Sequence, residues 1–364
     1  MTAGDGARRE EEVLAAIERR RRRPSRKLLD ERITLSHGAG GKSSRALLES
    51  VFLKAFDNPL LATLADHALL PPTAAARTAF TTDAYVVTPR TFPGGDIGEL
   101  AVNGTVNDLA MAGARPLCLA AGFILEEGLP VAELERFVGS MGAAARAAGV
   151  VIAAGDTKVV ERGKADGLYI TTTGVGVLEH ELELSPARVR PGDRVLVSGT
   201  VGDHGMAIMV ARGGMELEVE LESDTAPLHE LVARLLAATD GVRCLRDPTR
   251  GGVATVLNEV ALAAEVAIVI DELSVPVRPE VTGACEILGI DPLYVANEGK
   301  LLAVVAPEAE AAALAALQAH PLGTSAAVIG EVRAEPPGMV LLDTAFGGSR
   351  VVDMLAGDPL PRIC

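Results

Sequence analysis

Two periods of hydrophobic patterning alternate along the chain. Thr78–Thr88 (TAFTTDAYVVT) and Leu168–Val177 (LYITTTGVGV) are rich in β-branched residues and predict strands. Ile97–Ala112 and Val131–Ala148 carry apolar residues at i, i+3 and i+4, which predicts helices. Both are rich in Ala and Gly, which suits close packing on a sheet. Ser185-Pro186 and Pro191-Gly192-Asp193 then punctuate the chain, and Arg194–Ser198 (RVLVS) follows as a buried strand. A domain boundary is therefore expected near 180–192, dividing 33–185 from 186–345. The second half repeats the mixture, with helices over Ala226–Ala238 and Gly252–Ala264, strands over Val266–Ile270 and Lys300–Val305, and a short apolar run over Val340–Leu342. No convincing internal repeat is present. Past Leu342 the periodicity stops, and Pro359 and Pro361 disfavour helix, so 346–364 reads as an extended, mobile tail.

Residues 1–32 stand apart. They hold ten basic and seven acidic residues, with Arg19 to Arg23 in one run and a thin apolar stripe of Val13, Leu14 and Ile17. A charged helical extension ahead of the folded body is expected there.

Composition narrows the function classes. The chain has 364 residues, 48% hydrophobic and 23% charged, which suits two domains with well-buried cores. Aromatics make up 3% and Trp is absent, so stacking platforms for single-stranded nucleic acid are not expected. A net charge of −15 repels phosphate backbones and anionic membranes. No run of 18 apolar residues spans a membrane, and Glu10-Glu11-Glu12 replaces the apolar core of a signal peptide. The cytoplasm is the expected address. Cys118, Cys244, Cys285 and Cys364 form no CxxC pair, which disfavours zinc, and a disulfide framework is not expected in a chain of this size.

Several segments can carry chemistry. Ser36-His37-Gly38-Ala39-Gly40-Gly41-Lys42-Ser43 approaches a phosphate-binding loop, but the first Gly of that pattern falls on Ser36, which argues against a Walker NTPase. The loop reads either as backbone amides open to phosphate or as a glycine turn capping the next helix. Asp66, Asp83, Asp108, Asp156 and Asp247 recur beside strand ends and helix starts. Asp108 lies within an apolar helix, where a lone carboxylate is costly to bury. Either these are caps and surface groups, or they hold Mg²⁺, a hard cation that takes oxygen ligands and bridges to nucleotide phosphate. Asp247-Pro248-Thr249-Arg250-Gly251-Gly252 precedes a helix and suits anion binding. Lys158 and Glu298 sit near Gly beside strand-like runs, where surface ion pairing is the usual fate. His204 reads as a phosphate or base contact or, as the commoner case, a helix-capping residue. Cys364, the last residue, is a thiol at the end of a tail that reaches about 60 Å when extended at roughly 3.3 Å per residue.

Taken together, these segments resemble the HypE family of hydrogenase maturation factors, a branch of the PurM-like ATP-binding proteins. The matching segments are His37 to Gly41, Thr81-Thr82-Asp83, Phe92 to Gly98, Gly104 to Asp108, Gly122 to Gly128 and Gly155 to Lys158. They continue with Gly202 to Gly205, Arg246 to Gly252, Asn297 to Lys300 and, most specifically, Pro361-Arg362-Ile363-Cys364. The resemblance runs from about Ile33 to Cys364 and leaves 1–32 outside.

The resemblance implies an α/β (α+β) PurM-like two-domain fold. Its amino-terminal sheets dimerise into a β-barrel, and its carboxyl-terminal domain is mixed α/β. It implies ATP and Mg²⁺ as cofactors. HypF is the implied carbamoyl donor and the iron-carrying HypC–HypD complex the acceptor. The implied reaction dehydrates a carbamoyl group on Cys364 to a thiocyanate, the source of the cyanide ligand of [NiFe] hydrogenase iron. By resemblance, Gly38, Gly40, Gly41, Lys42, Asp83, Asn107, Asp156, Thr249 and Arg250 bind nucleotide. Asp66, Asp83, Asp108 and Asp247 hold metal. Cys364, Glu298 and Lys158 carry the reaction, with Glu298 as base. Selenophosphate synthetase calls for a thiol or selenol in the glycine loop, which this chain lacks, and the purine and thiamine relatives leave Cys364 unexplained. A non-catalytic nucleotide-binding thiol carrier is the reading from a different class.

Overall fold

The computed structural model describes residues 31–34, 46–57, 77–213, 220–354 and 362–364. The glycine loop 36–43, Asp66 and the amino-terminal helix expected around Val13 to Ile17 lie outside the described residues.

The first sheet contains β1 (Arg77–Tyr85), β4 (Ala114–Glu126), β5 (Val151–Val160) and β6 (Leu168–Leu178) in the order β1-β6-β4-β5. A two-residue ladder, β2 (Thr91–Phe92) with β3 (Gly95–Asp96), precedes α1 (Ile97–Met111). Asp96 fixes the start of α1, because its Oδ1 accepts from the backbone amides of Gly98 at 2.8 Å and Glu99 at 3.1 Å. The β4–β5 pair is parallel, so the chain must cross over between them, and it does so through α2 (Val131–Ala147). Phe137, Leu134 and Met141 of α2 are fully buried with Leu100 of α1 and Ile170 of β6. Among the described residues, nothing covers the opposite sheet face. Phe80 on β1 is 70% exposed and Ile124 on β4 is 39% exposed.

The second sheet has the order β13-β12-β9-β11-β7-β10-β8. Its strands are β7 (Arg194–Val197), β8 (Val242–Arg246), β9 (Ala267–Asp271), β10 (Leu302–Val305), β11 (Ala327–Arg333), β12 (Met339–Asp343) and β13 (Ser349–Val351). Both faces are covered. Val195, Val197, Leu302 and Val304 pack with Val256, Leu257 and Val260 of α5 (Gly252–Ala264). The alternate residues Leu196, Ala303 and Val305 pack with Leu231 and Leu235 of α4 (His229–Ala238) and Leu317 of α7 (Glu310–Gln318). Two-sided burial is why RVLV and LAVV are continuous apolar runs instead of alternating ones.

A third contact joins the domains. Met206 and Ile208 of α3 (Asp203–Ala211), with Ala284 and Cys285 of α6 (Pro279–Leu288), share the first domain's apolar core, as does Ile363 of the tail.

The structure differs from the expected boundaries in three places. Glu31 and Ile33 already pair through backbone hydrogen bonds with the 128–131 turn, so ordered packing starts before Ile33. Ser349–Val351, expected in the tail from 346 onward, pairs with β12 as an edge strand. The helix expected from Ala226 starts at His229, because the backbone at Ala226 and Leu228 is held by Asn107 instead.

Candidate active site

Thr81, Asp83 and Tyr85 occupy alternate positions of β1 and so share one face, which meets α1. Thr81 Oγ1 donates to Asp108 Oδ2 on α1 at 2.7 Å. Tyr85 OH donates to Asp83 Oδ2 at 3.2 Å, and Thr105 Oγ1 of α1 lies 3.5 Å from the same oxygen. The approach depends on Gly104. A Cβ there would stand 2.2 Å from the Tyr85 hydroxyl oxygen. Burial, then the Asp83 charge, pushes the Tyr85 phenol well above its ordinary pKa, so it remains a donor.

The second domain brings Asp247, just after β8, and Glu298, just before β10, to this face. Burial, then the charges of Asp247 and Asp83, raises the Asp108 carboxyl to about 7. Burial raises Asp247 to about 6. Glu298 is 3% exposed, and burial followed by the charges of Asp247, Asp224, Asp83 and Asp108 raises its carboxyl well above the usual range. Its Oε1 is buried without a hydrogen-bond partner. Four carboxyls thus converge where protons or cations must compensate them.

Glu298 is held by its backbone. Its amide donates to Asp224 Oδ1 at 3.0 Å, and its carbonyl accepts from Asn107 Nδ2 at 3.1 Å. Lys300 Nζ donates to Asp224 Oδ2 at 3.0 Å and lies 3.9 Å from Asp203 Oδ2. The next residue must be glycine, since a Cβ on Gly299 would stand 1.7 Å from the Asp224 carbonyl oxygen. Asn297 donates from its backbone and side-chain nitrogens to the Pro248 carbonyl, each at 3.0 Å. The segments Asn297 to Lys300 and Asp247 to Gly252, read separately in the sequence, are therefore laced into one unit. Thr249 is half-buried and Arg250 exposed on this turn.

Asn107, expected to bind nucleotide, has another task. Its Nδ2 donates to the Ala226 and Glu298 carbonyls and its Oδ1 accepts from the Leu228 amide, so its hydrogen-bonding atoms are committed to backbone. Asp156 and Lys158 are not brought to the cluster within one chain. They pair with each other at 3.1 Å, 72% and 67% exposed. Lys158 lies opposite the outward-facing Ile124, on the uncovered face. Three strand spacings separate β5 from β1, about 14 Å.

Among the described residues, no group of three or more His, Cys, Asp or Glu side chains is placed to hold a metal ion. The expected metal set includes Asp66, outside the described residues. The residues that are present nevertheless fit a hard cation. The donors are carboxylate oxygens, one of them buried without a partner, and the burial and neighbouring carboxylate charge that raise Asp108 and Asp247 are what a divalent cation offsets.

The chain's end is docked beside this cluster. The Val86 amide donates to the Cys364 carbonyl and the Thr88 amide to the Arg362 carbonyl, both at 3.1 Å. Arg212 Nη2 adds a bond to the Arg362 carbonyl at 2.7 Å, and Arg362 pairs with Asp166 at 2.5 Å. Ile363 is 3% exposed, while Cys364 is half-buried. Val86 is three residues beyond Asp83, about 10 Å along an extended chain. His204, expected as a helix cap, instead holds the tail. It is fully buried, with Nε2 3.0 Å from the Ile363 carbonyl. Sequence reasoning also missed Tyr85 and Asp224. The two-residue spacing from Asp83 to Tyr85 carried a signal, but Asp224 sits in a polar stretch, ELESDTAP, that reads as surface.

Comparison with known proteins agrees with this architecture. Residues 64–178 match the family model "AIR synthase related protein, N-terminal domain", and 190–342 match its C-terminal counterpart. The carbamoyl dehydratase HypE of Cupriavidus necator is 56% identical over 333 residues, 92% of this chain and 95% of that protein. The Escherichia coli carbamoyl dehydratase HypE is 48% identical over 336 residues, 91% and 99% of the two chains. A crystal structure of the hydrogenase maturation protein HypE in complex with ATP superposes with a TM-score of 0.87 at 49% identity, covering 91% of this chain and 99% of that one. A HypE–HypF complex contains a chain matching at TM-score 0.75 and 48% identity, covering 85% of this chain and 100% of that one. Thiamine monophosphate kinase from Aquifex aeolicus, 20% identical with a TM-score of 0.57 over 78% and 91% of the two chains, shares the fold alone. Matched along nine-tenths of its length by relatives of about half or more identity, the chain belongs to the carbamoyl dehydratase HypE family of hydrogenase maturation enzymes, with the PurM-like two-domain fold.

Proposed function

We propose that this chain dehydrates a carbamoyl group carried on its own Cys364 to a thiocyanate, at the expense of ATP, and so supplies cyanide for hydrogenase iron. The observation that carries the reading is the docked terminal cysteine beside four converging carboxyls, one of them with an unpartnered buried oxygen.

The starting group is Sγ–C(=O)–NH₂, whose oxygen is a poor leaving group. That oxygen attacks the γ-phosphorus of ATP, ADP departs, and one N–H proton is lost. The C–O bond to the new phosphate then breaks as the second N–H proton leaves, giving Sγ–C≡N and inorganic phosphate. Phosphoryl transfer of this kind rests on positioning and charge neutralisation. Asp83, Asp108 and Asp247 would hold Mg²⁺, with Asp66 as the further acid that the resemblance implies, and the ion would neutralise phosphate charge when bound. Thr249 and Arg250, just ahead of α5, bind phosphate; Gly38, Gly40, Gly41 and Lys42, outside the described residues, are nucleotide-binding residues by resemblance alone. Glu298 takes the N–H protons; its environment gives it a high proton affinity, and its backbone is fixed from both sides.

The chain acts as a homodimer through the uncovered face of the first sheet, where Phe80 is 70% exposed. That arrangement presents Lys158 and Asp156, which are remote from the cluster in one chain, to the site of a second copy. HypF is the carbamoyl donor and the HypC–HypD complex the acceptor of the cyano group. No helix among the described residues is long and apolar enough to cross a membrane, and a reducing cytoplasm suits the thiol chemistry.

The test is intact-mass analysis of the carboxyl-terminal peptide after carbamoylation. Loss of one water only when ATP and Mg²⁺ are present is expected. Glu298→Gln should bind ATP yet slow that loss by about 10²–10⁴-fold, the range for removing a positioned base. An unchanged rate removes Glu298 from the mechanism, and ATP-independent loss of water removes the reaction.

A further inference from the structure

His204 has a local geometry that the reaction above does not use. It sits in the first turn of α3 with no exposed surface, and its ring stands edge-on to Phe92, centroids 5.6 Å apart at 89°. Nε2 is 3.0 Å from the Ile363 carbonyl oxygen. A carbonyl only accepts, so Nε2 carries the hydrogen. In the neutral ring Nδ1 is then the acceptor, and the Ser223 hydroxyl donates to it across 2.8 Å. Burial lowers the His204 pKa, which keeps the ring neutral.

Ser223 belongs to a short segment that links His204, the Pro93 turn, α1 and the Glu298 to Lys300 stretch. Its Oγ accepts from the Thr225 amide at 3.1 Å, and its amide donates to the Pro93 carbonyl at 2.8 Å. Asp224, the next residue, holds the Glu298 amide and the Lys300 ammonium. Thr225 Oγ1 accepts from Asn103 of α1 at 3.2 Å.

We propose that His204 is a positioning residue for the reacting tail. Through the Ile363 carbonyl it sets where Cys364 stands, and through Ser223 it ties that grip to the segment that fixes Glu298. The inference rests on the proposed function for what Cys364 does there, but the docking itself is independent of it. With the tail away, the Nε2–H loses this partner, so the imidazole favours the docked state by one hydrogen bond.

Tail docking is measured as the rate at which iodoacetamide alkylates Cys364, followed by mass spectrometry of the carboxyl-terminal peptide. His204→Phe keeps a ring against Phe92 but removes both nitrogens. It should alkylate about tenfold faster than wild type, the equivalent of one lost hydrogen bond. It should slow single-turnover dehydration by a similar factor while leaving the affinity for a fluorescent ATP analogue within about twofold. His204→Gln, whose amide again presents an N–H, should return both rates toward wild type. Ser223→Ala releases the tautomer without touching the tail and should speed alkylation by about threefold, and it decides the matter if His204→Phe does not fold. Unchanged alkylation in folded His204→Phe and Ser223→Ala overturns the proposal. So does a loss of nucleotide affinity that matches the gain in alkylation, because that marks a general structural role. A wild-type protein that forms no thiocyanate defeats the proposed function while the alkylation comparison still stands or falls separately.

Discussion

At the scale of single residues, the site is defined by carboxyls held where their charge is unwelcome. Asp108 and Asp247 bind protons more tightly in the folded chain, at about 7 and about 6, than the ordinary carboxylate value near 4. Between about pH 4 and 7 the folded state therefore carries more protons than the unfolded one, and stability falls as pH rises through that window. In chelator, the melting temperature should decline from pH 5 to pH 8, and Asp108→Asn should flatten the decline and raise the value at pH 8 by a few degrees. Mg²⁺ with ATP should flatten it in the wild-type protein. A melting temperature that instead climbs over that range would contradict the charge arrangement. Asp83, Asp108 and Asp247 were legible in the sequence as acids beside strand ends and helix starts or within an apolar helix, and Glu298 as an acid near Gly. Asp224 was not, because its significance is a contact with a backbone 74 residues away.

Among elements, β1 and α1 meet through the absence of a side chain. Gly104→Ala puts a methyl 2.2 Å from the Tyr85 hydroxyl oxygen, so the ring must shift. Overpacking of this kind costs about 1–3 kcal/mol. A lower midpoint in urea is expected, together with weaker ATP binding, as Asp83 loses the donor that orients it. Wild-type nucleotide affinity in this variant would separate β1 packing from the site. The α1 range followed from apolar periodicity, and the structure adds the Asp96 cap that fixes its start. The Ala/Gly-rich β4 and β5 gave no comparable alternation to read. The start of α4 was misplaced because a propensity for helix at Ala226 lost to hydrogen bonds from Asn107.

For the whole molecule, the question is which groups one chain cannot bring together. Lys158 lies on the open face, three strands from Asp83. If a second copy supplies it, Lys158→Ala and Glu298→Gln are each inactive alone but complement one another. Random reassociation makes half the dimers mixed, each with one intact site of two, so about a quarter of wild-type turnover should return on mixing. No recovery after verified subunit exchange would place Lys158 outside the partner's site.

By itself the sequence determined the two-domain division, the principal helices, the acidic residues and the thiol at the chain's end. These rest on local periodicity and on residue chemistry, which do not depend on distant partners. Only the tertiary structure decided that Asn107 serves backbone, that His204 grips the tail, that Lys158 faces away, and that Asn297 to Lys300 is laced to Asp247 to Gly252. All but the Lys158 facing are contacts between positions far apart in the chain, and that facing is set by strand register. Local propensity carries no information about which distant carbonyl a buried amide or imidazole will meet.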